Sequence, residues 1–228
     1  MLYGETSVGR LHRRVNRFIA EVIVDGMIKQ AHITNTGRLT ELLQPDTKVL
    51  LEVRDNPGRK TRFSLIAAEK DGHWINVDSQ APNAVAYEAL SAGQLAELGS
   101  VRLAKREVTY GDSRFDLYYE KGDEKGFIEV KGVTLEKDGV AMFPDAPTTR
   151  GTKHVLELAK AVLEGYAGTI LFVVKIPGCR SFAPNREMDP FFADAVLQVS
   201  RQGVRILAYN MISAEDEWIL AKPIPVSL

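Results

Sequence analysis

At 228 residues with 45% hydrophobic content, the chain is long enough to bury a substantial core, as one large domain or two modest ones. A formal net charge of -1 excludes an overall positive field as the means of holding a polyanion, so any anionic partner must meet local basic patches. A single cysteine, Cys179, excludes an intramolecular disulfide and a cysteine-based zinc cluster, and reads as an ordinary thiol.

Met1 to Val8 lacks a basic segment followed by an apolar stretch. The longest apolar run, Thr169 to Ile176, is too short to span a bilayer, so the expected location is cytoplasmic. From Asn16 to about Asp78 the pattern is one of short strands: Arg17 to Asp25, Met27 to Thr34, Lys48 to Arg54, Arg62 to Glu69 and His73 to Val77. Asp25-Gly26, Asn56-Pro57-Gly58 and Asp71-Gly72 supply the turns, and five strands in this space imply a small barrel or sandwich.

The second half changes character. A helix is expected over Asn83 to Leu98, with Asn83 as N-cap and Gly99 as stop. Strands follow at Val101 to Tyr110, Arg114 to Tyr119 and Phe127 to Val133, then a helix from Thr149 to Glu164 and a buried strand from Thr169 to Ile176. Asp189-Pro190 opens a last helix to Gln202, and Val204 to Tyr209 is the final strand. The order α-β-β-β-α-β-α-β predicts a mixed sheet with helices on its faces. The expected domains are residues 1–80 and 81–228.

Within the second half, Asp116 and Glu129-Val130-Lys131 lie on the two arms of a predicted hairpin. Alternation puts Glu129 and Lys131 on one face, and a turn centred on Gly122-Asp123 sets Asp116 across from Glu129. Opposed residues have Cβ atoms about 4.5–5.5 Å apart, close enough for both carboxylates to hold one divalent cation. Taken alone, the triplet reads first as a solvated hairpin face, since acid-x-Lys occurs by chance in many exposed strands.

The element order, with Asp116 in its second strand and Glu129-x-Lys131 in its third, resembles the PD-(D/E)xK nuclease superfamily, although Phe115 stands where that pattern has proline. Longer strings are similar to the sugar fermentation stimulation protein A (SfsA) family: Asn16-Arg17-Phe18-Ile19-Ala20, Asn35-Thr36-Gly37-Arg38, Ser79-Gln80-Ala81-Pro82-Asn83, Ser113-Arg114-Phe115-Asp116, Ile128 to Leu135, Ala141-Met142-Phe143-Pro144-Asp145-Ala146, Thr149-Arg150-Gly151-Thr152-Lys153-His154 and Phe182-Ala183-Pro184. The resemblance runs in order over nearly the whole chain. It implies an α+β protein, with an N-terminal OB-like barrel followed by a restriction-endonuclease-like domain. It also implies DNA as partner.

The candidate chemistry is hydrolysis of a phosphodiester supported by Mg²⁺ or Mn²⁺, with Asp116 and Glu129 as metal ligands, the Val130 carbonyl as a third, and Lys131 orienting water or neutralising charge. Superfamily members often place a glutamate on the first helix, which makes Glu88 a further catalytic candidate against the alternative of a solvated helix acid. Arg150, Lys153 and His154 open the helix after the hairpin and suggest phosphate contacts. Asp145 either completes the site or simply forms a turn.

In the first half, Arg13, Arg14 and Arg17, and around a later loop Arg59 and Lys60, are candidate nucleic-acid contacts, as is Arg38. Phe18, Phe63 and Trp74 are either stacking surfaces or core. Two functions remain open: a metal-dependent nuclease, and a DNA-binding regulator of sugar (maltose) metabolism that does not cut.

Overall fold

The structure is a computed structural model that describes residues 1–35, 37, 39–214 and 217–228. The chain divides into two compact units: Met1–Ala81 with Ser213–Trp218, and Pro82–Ile212 with Ile219–Leu228.

The first unit contains strands β1 (Thr6–Arg14), β2 (Ile19–Val24), β3 (Met27–His32), β4 (Lys48–Val53), β5 (Phe63–Lys70) and β6 (His73–Asn76). β1 pairs with both β2 and β4, β4 with β5, and β5 closes the ring by pairing in parallel with β3 at Ala31 and Phe63. The ring β1-β2-β3-β5-β4 is a five-stranded OB-type barrel, with β6 added alongside β5. Register irregularities in β1 and β4 supply the local bends that closure needs. Leu11, Ala20, Val22, Ala31, Val49, Leu51 and Leu65 fill the interior. Leu39, Leu42 and Leu43 form a single buried turn.

The segment ahead of Arg17, where the sequence pattern marks no strand, is itself a strand, β1. Its alternation is masked because the inward positions carry only Gly9 and Leu11.

The second unit begins with helix α1 (Ala81–Ser91) and strands β7 (Leu103–Tyr110), β8 (Ser113–Lys121) and β9 (Glu124–Val133). Short strands β10 (Leu135–Lys137) and β11 (Val140–Phe143) precede α2 (Thr149–Leu163) and β12 (Ala167–Val174). β13 (Ser181–Pro184), α3 (Pro190–Arg201), β14 (Arg205–Ala214) and β15 (Glu217–Pro223) complete the chain. The expected α-β-β-β-α-β-α-β core is present as a mixed sheet in the order β15-β14-β12-β9-β8-β7. β10, β11 and β13 form a separate three-stranded sheet that sequence patterning does not reveal, since three- and four-residue strands carry too little alternation to be seen. Among the described residues, no helix is long and apolar enough to cross a membrane.

Helix α1 starts two residues before Asn83, which therefore is not its N-cap. It stops at Gly93 and not Gly99: Gly93, at φ 69°, donates to Leu90 while Gln94 reaches back to Ala89, a left-handed helix ending. Helix α2 is capped by Thr148, whose hydroxyl accepts from the Gly151 amide, and it buries Gly151, Val155, Leu158 and Ala159 as one stripe. Asp189 caps α3 with Pro190 in the first turn, as its sequence predicts.

The β8–β9 hairpin turns at Gly122 and Asp123 between the paired Lys121 and Glu124, with Gly122 at φ 57°. Tyr119 lies opposite Gly126 and is fully buried, its hydroxyl bonded to Glu124 and Arg205. A Cβ at Gly126 would meet the Tyr119 ring at 2.5 Å. Gly126→Ala is therefore expected to destabilise the fold by about 1–3 kcal/mol, the usual cost of overpacking. A thermal or urea unfolding curve indistinguishable from the parent's would refute this.

Candidate functional site

The β8–β9 ladder runs from Lys121 and Glu124 to Leu117 and Ile128, the expected register, and stops there. Asp116 is the next residue of β8. Its Oδ2 accepts the Val130 amide at 2.8 Å, so a side-chain oxygen takes up the donor where the ladder ends. Its Oδ1 accepts from Asn83 Nδ2 at 2.8 Å.

Helix α1 can come this close because position 132 is glycine: a Cβ there would lie 2.8 Å from Pro82. Asn83 is thus a site residue, whereas the sequence pattern casts it as a cap. Its partner lies 33 positions away, and no local signal announces the contact.

Glu129, on β9, is 2% exposed. Its Oε1 accepts from Lys131 Nζ, one pleat along the same face, and from His154 Nδ1 at 2.7 Å. Its Oε2 is buried and has no hydrogen-bond partner. His154 lies on the inward stripe of α2, beside Val155, and is therefore part of the carboxylate cluster. Its sequence neighbours suggest a surface phosphate contact, but helix periodicity turns it inward while Arg150 and Lys153 remain exposed on the same helix.

The two acids are held in opposite senses. Burial, together with the charge of Glu129, raises the Asp116 carboxyl above its ordinary range, against the Val130 amide, Lys131 and Asn83. Burial also pulls Glu129 upward, but the His154 hydrogen bond and the charge and hydrogen bond of Lys131 outweigh it and leave Glu129 below the ordinary range.

This donor set suits a hard divalent cation. The oxygens are carboxylate, and one of them, Glu129 Oε2, is buried without a partner, a costly arrangement that a cation would relieve. Among the described residues, no group of three or more His, Cys, Asp or Glu side chains is placed to hold a metal. Two carboxylates with backbone and water oxygens match the habit of Mg²⁺, which keeps several waters.

The remaining candidates are dispersed. Glu88 is exposed on α1, and Asn83 of the same helix donates to Asp116. Asp145 is exposed before α2. Arg13 is paired with Glu21 at 2.7 Å. Arg14 spends its guanidinium on the carbonyls of Asn16, Arg17, Asn35 and Gly37, so it fastens a loop, which removes it from the set of open cations. Arg17 stacks over the exposed Phe18 ring at 4.7 Å.

Arg59 bonds to Ser64 and Thr61, and Lys60 lines a cavity of about 420 Å³ with Lys29, Arg62 and Met27. Arg38 lies outside the described residues. Phe63 is core, as its inward strand position requires, and Trp74 packs under Lys48. Cys179 is buried, which pushes its thiol up to about 11 and keeps it unreactive.

Comparison with known proteins places these features in a lineage. Residues 80–217 match a family described as the sugar fermentation stimulation protein RE domain, and residues 13–77 match the SfsA N-terminal OB domain. A sugar fermentation stimulation protein homolog of Alkaliphilus oremlandii is 51% identical over 99% of this chain and 98% of its own. One from Clostridium tetani is 45% identical over 95% and 94%. The structure of Pyrococcus furiosus SfsA in complex with Ca²⁺ superposes with a TM-score of 0.91 at 30% identity, covering 100% of this chain and 98% of that one.

Proposed function

The chain belongs to the sugar fermentation stimulation protein (SfsA) family, and from its site we propose that it is a DNA-binding, divalent-metal-dependent phosphodiesterase. The observation that carries this reading is the buried cluster of Asp116, Glu129 and Lys131 in which Glu129 Oε2 lacks any partner. The complex of Pyrococcus furiosus SfsA with Ca²⁺ is consistent with it, since Ca²⁺ takes the same oxygen ligands as Mg²⁺ and Mn²⁺.

Asp116 and Glu129 would hold the cation, with the Val130 carbonyl as a third protein oxygen. The cation supplies Lewis-acid stabilisation of the phosphoryl oxygens and of the attacking water. Asn83 and the Val130 amide keep the Asp116 carboxylate from rotating. Lys131 provides a positive charge beside the carboxylates, where negative charge builds up as water attacks phosphorus and the bond to the leaving oxygen breaks. The closed surroundings of Glu129 limit competing solvent.

Binding would come from dispersed cations, including Arg17, Lys60, Arg150 and Lys153, all exposed. Phosphate contacts of this kind are largely indifferent to sequence and strongly salt-dependent. Affinity for DNA is expected to fall steeply between 50 and 200 mM salt, by about 10³-fold or more if six or more phosphates are engaged.

The deciding experiment incubates the protein with Mg²⁺ or Mn²⁺ and single-stranded, duplex, branched and RNA substrates, beside Lys131→Ala. Cleavage that exceeds the Lys131→Ala control supports the proposal. Tight, salt-sensitive binding with no cleavage on any substrate would transfer the protein to the regulatory reading, because folds of this kind also serve as binding modules.

A further inference from the structure

Glu129 receives its hydrogen bonds unevenly. Lys131 Nζ and His154 Nδ1 both donate to Oε1, while Oε2, which is buried, receives nothing. A buried carboxylate has about four acceptor sites over two oxygens, and buried acceptors in folded proteins are nearly always satisfied. Lys131 alone would be enough to pair the charge. A second donor placed on the oxygen that is already occupied does something else: it fixes the rotation of the carboxylate and leaves one oxygen facing outward from the clamp.

His154 is well built for this. Helix α2 holds it by a capped N-terminus and a buried stripe at Gly151, Val155 and Leu158, and its own side chain is 13% exposed. An ionised carboxylate can only accept, so Nδ1 must carry the proton of this hydrogen bond, which sets the ring orientation.

Resting on the reading of this cluster as a cation site, we propose that His154 is its positioning residue, clamping Glu129 Oε1 so that Oε2 alone is presented to the divalent cation. Groups that orient metal ligands in this way are typically worth 10–100-fold in metal affinity.

The test is Ca²⁺ titration by isothermal calorimetry on the full chain, with the thermal midpoint in EDTA measured in parallel. His154→Ala is expected to weaken Ca²⁺ binding by roughly 10–100-fold and to lower the EDTA midpoint by several degrees, the cost of removing one hydrogen bond to a buried carboxylate. His154→Asn, whose amide nitrogen falls near the position of Nδ1, is expected to recover most of the affinity. Unchanged Ca²⁺ affinity in His154→Ala overturns the proposal, as does an equal loss in both variants, the mark of a merely structural histidine. Parent protein that takes up no Ca²⁺ overturns the cation reading itself, a result distinct from either of these.

Discussion

Glu129→Gln is expected to abolish divalent-cation binding and to lower phosphodiester cleavage by roughly 10²–10³-fold or more, the range found when one stabiliser of transition-state charge is removed. The substitution preserves size, so the loss isolates charge. It removes the negative oxygen that faces the cation and leaves the Lys131 ammonium, 15% exposed, without its anion.

Stability should fall as well, by about 1.5–3 kcal/mol, the value of a hydrogen bond to a charged group. The sign of its pH dependence follows from the depressed Glu129 carboxyl. Its contribution is present above the unfolded value of 4.5 and disappears as pH falls through the lower folded value. Acid titration of stability should therefore show a step in the parent below pH 4.5 that Glu129→Gln lacks. A variant that still binds Ca²⁺ with parental affinity would remove Glu129 from the site.

Asp116→Asn is expected to do the reverse to the metal-free fold. Burial and the Glu129 charge raise the Asp116 carboxyl above its ordinary 3.8, so its ionised form is disfavoured in the folded state. Stability from this group is greatest below 3.8 and is lost as pH rises through the raised folded value. At neutral pH without metal, Asp116 is thus a penalty. The asparagine oxygen can still accept the Val130 amide, and Asn83 can turn its own oxygen toward the new amide.

The variant should therefore melt higher in EDTA, by about 2–4 °C for each ~1 kcal/mol released in a chain of this size. Added Mg²⁺ or Ca²⁺ should stabilise the parent and not the variant. Both measurements come from one thermal-shift series. A variant that melts below the parent in EDTA would show that the Asp116 charge is already compensated without a cation.

Several parts of the site are legible along the chain because they depend on local periodicity. Alternation places Glu129 and Lys131 on one face, and a glycine turn sets the register that leads to Asp116. Asn83 is not legible in its actual role. A polar residue before an apolar helix resembles a cap, whereas its true partner is fixed by how closely α1 approaches β9 at Gly132. His154 takes on a basic character from its neighbours Arg150 and Lys153, and only the helical stripe separates it from them. Arg14 reads as an open cation until its four carbonyl partners are in place.

By itself, the sequence determined the barrel followed by a mixed sheet, the hairpin that carries the acids, and the family to which both units belong. These follow from hydrophobic period, turn chemistry and long matching strings, all of them properties of adjacent residues. Tertiary structure alone decided that Asp116 caps the Val130 amide, that Asn83 reaches it from α1, and that Lys131 and His154 share a single oxygen of Glu129. The reason is physical: whether a carboxylate oxygen is satisfied or left open depends on donors brought from separate elements by packing. No local pattern records that meeting.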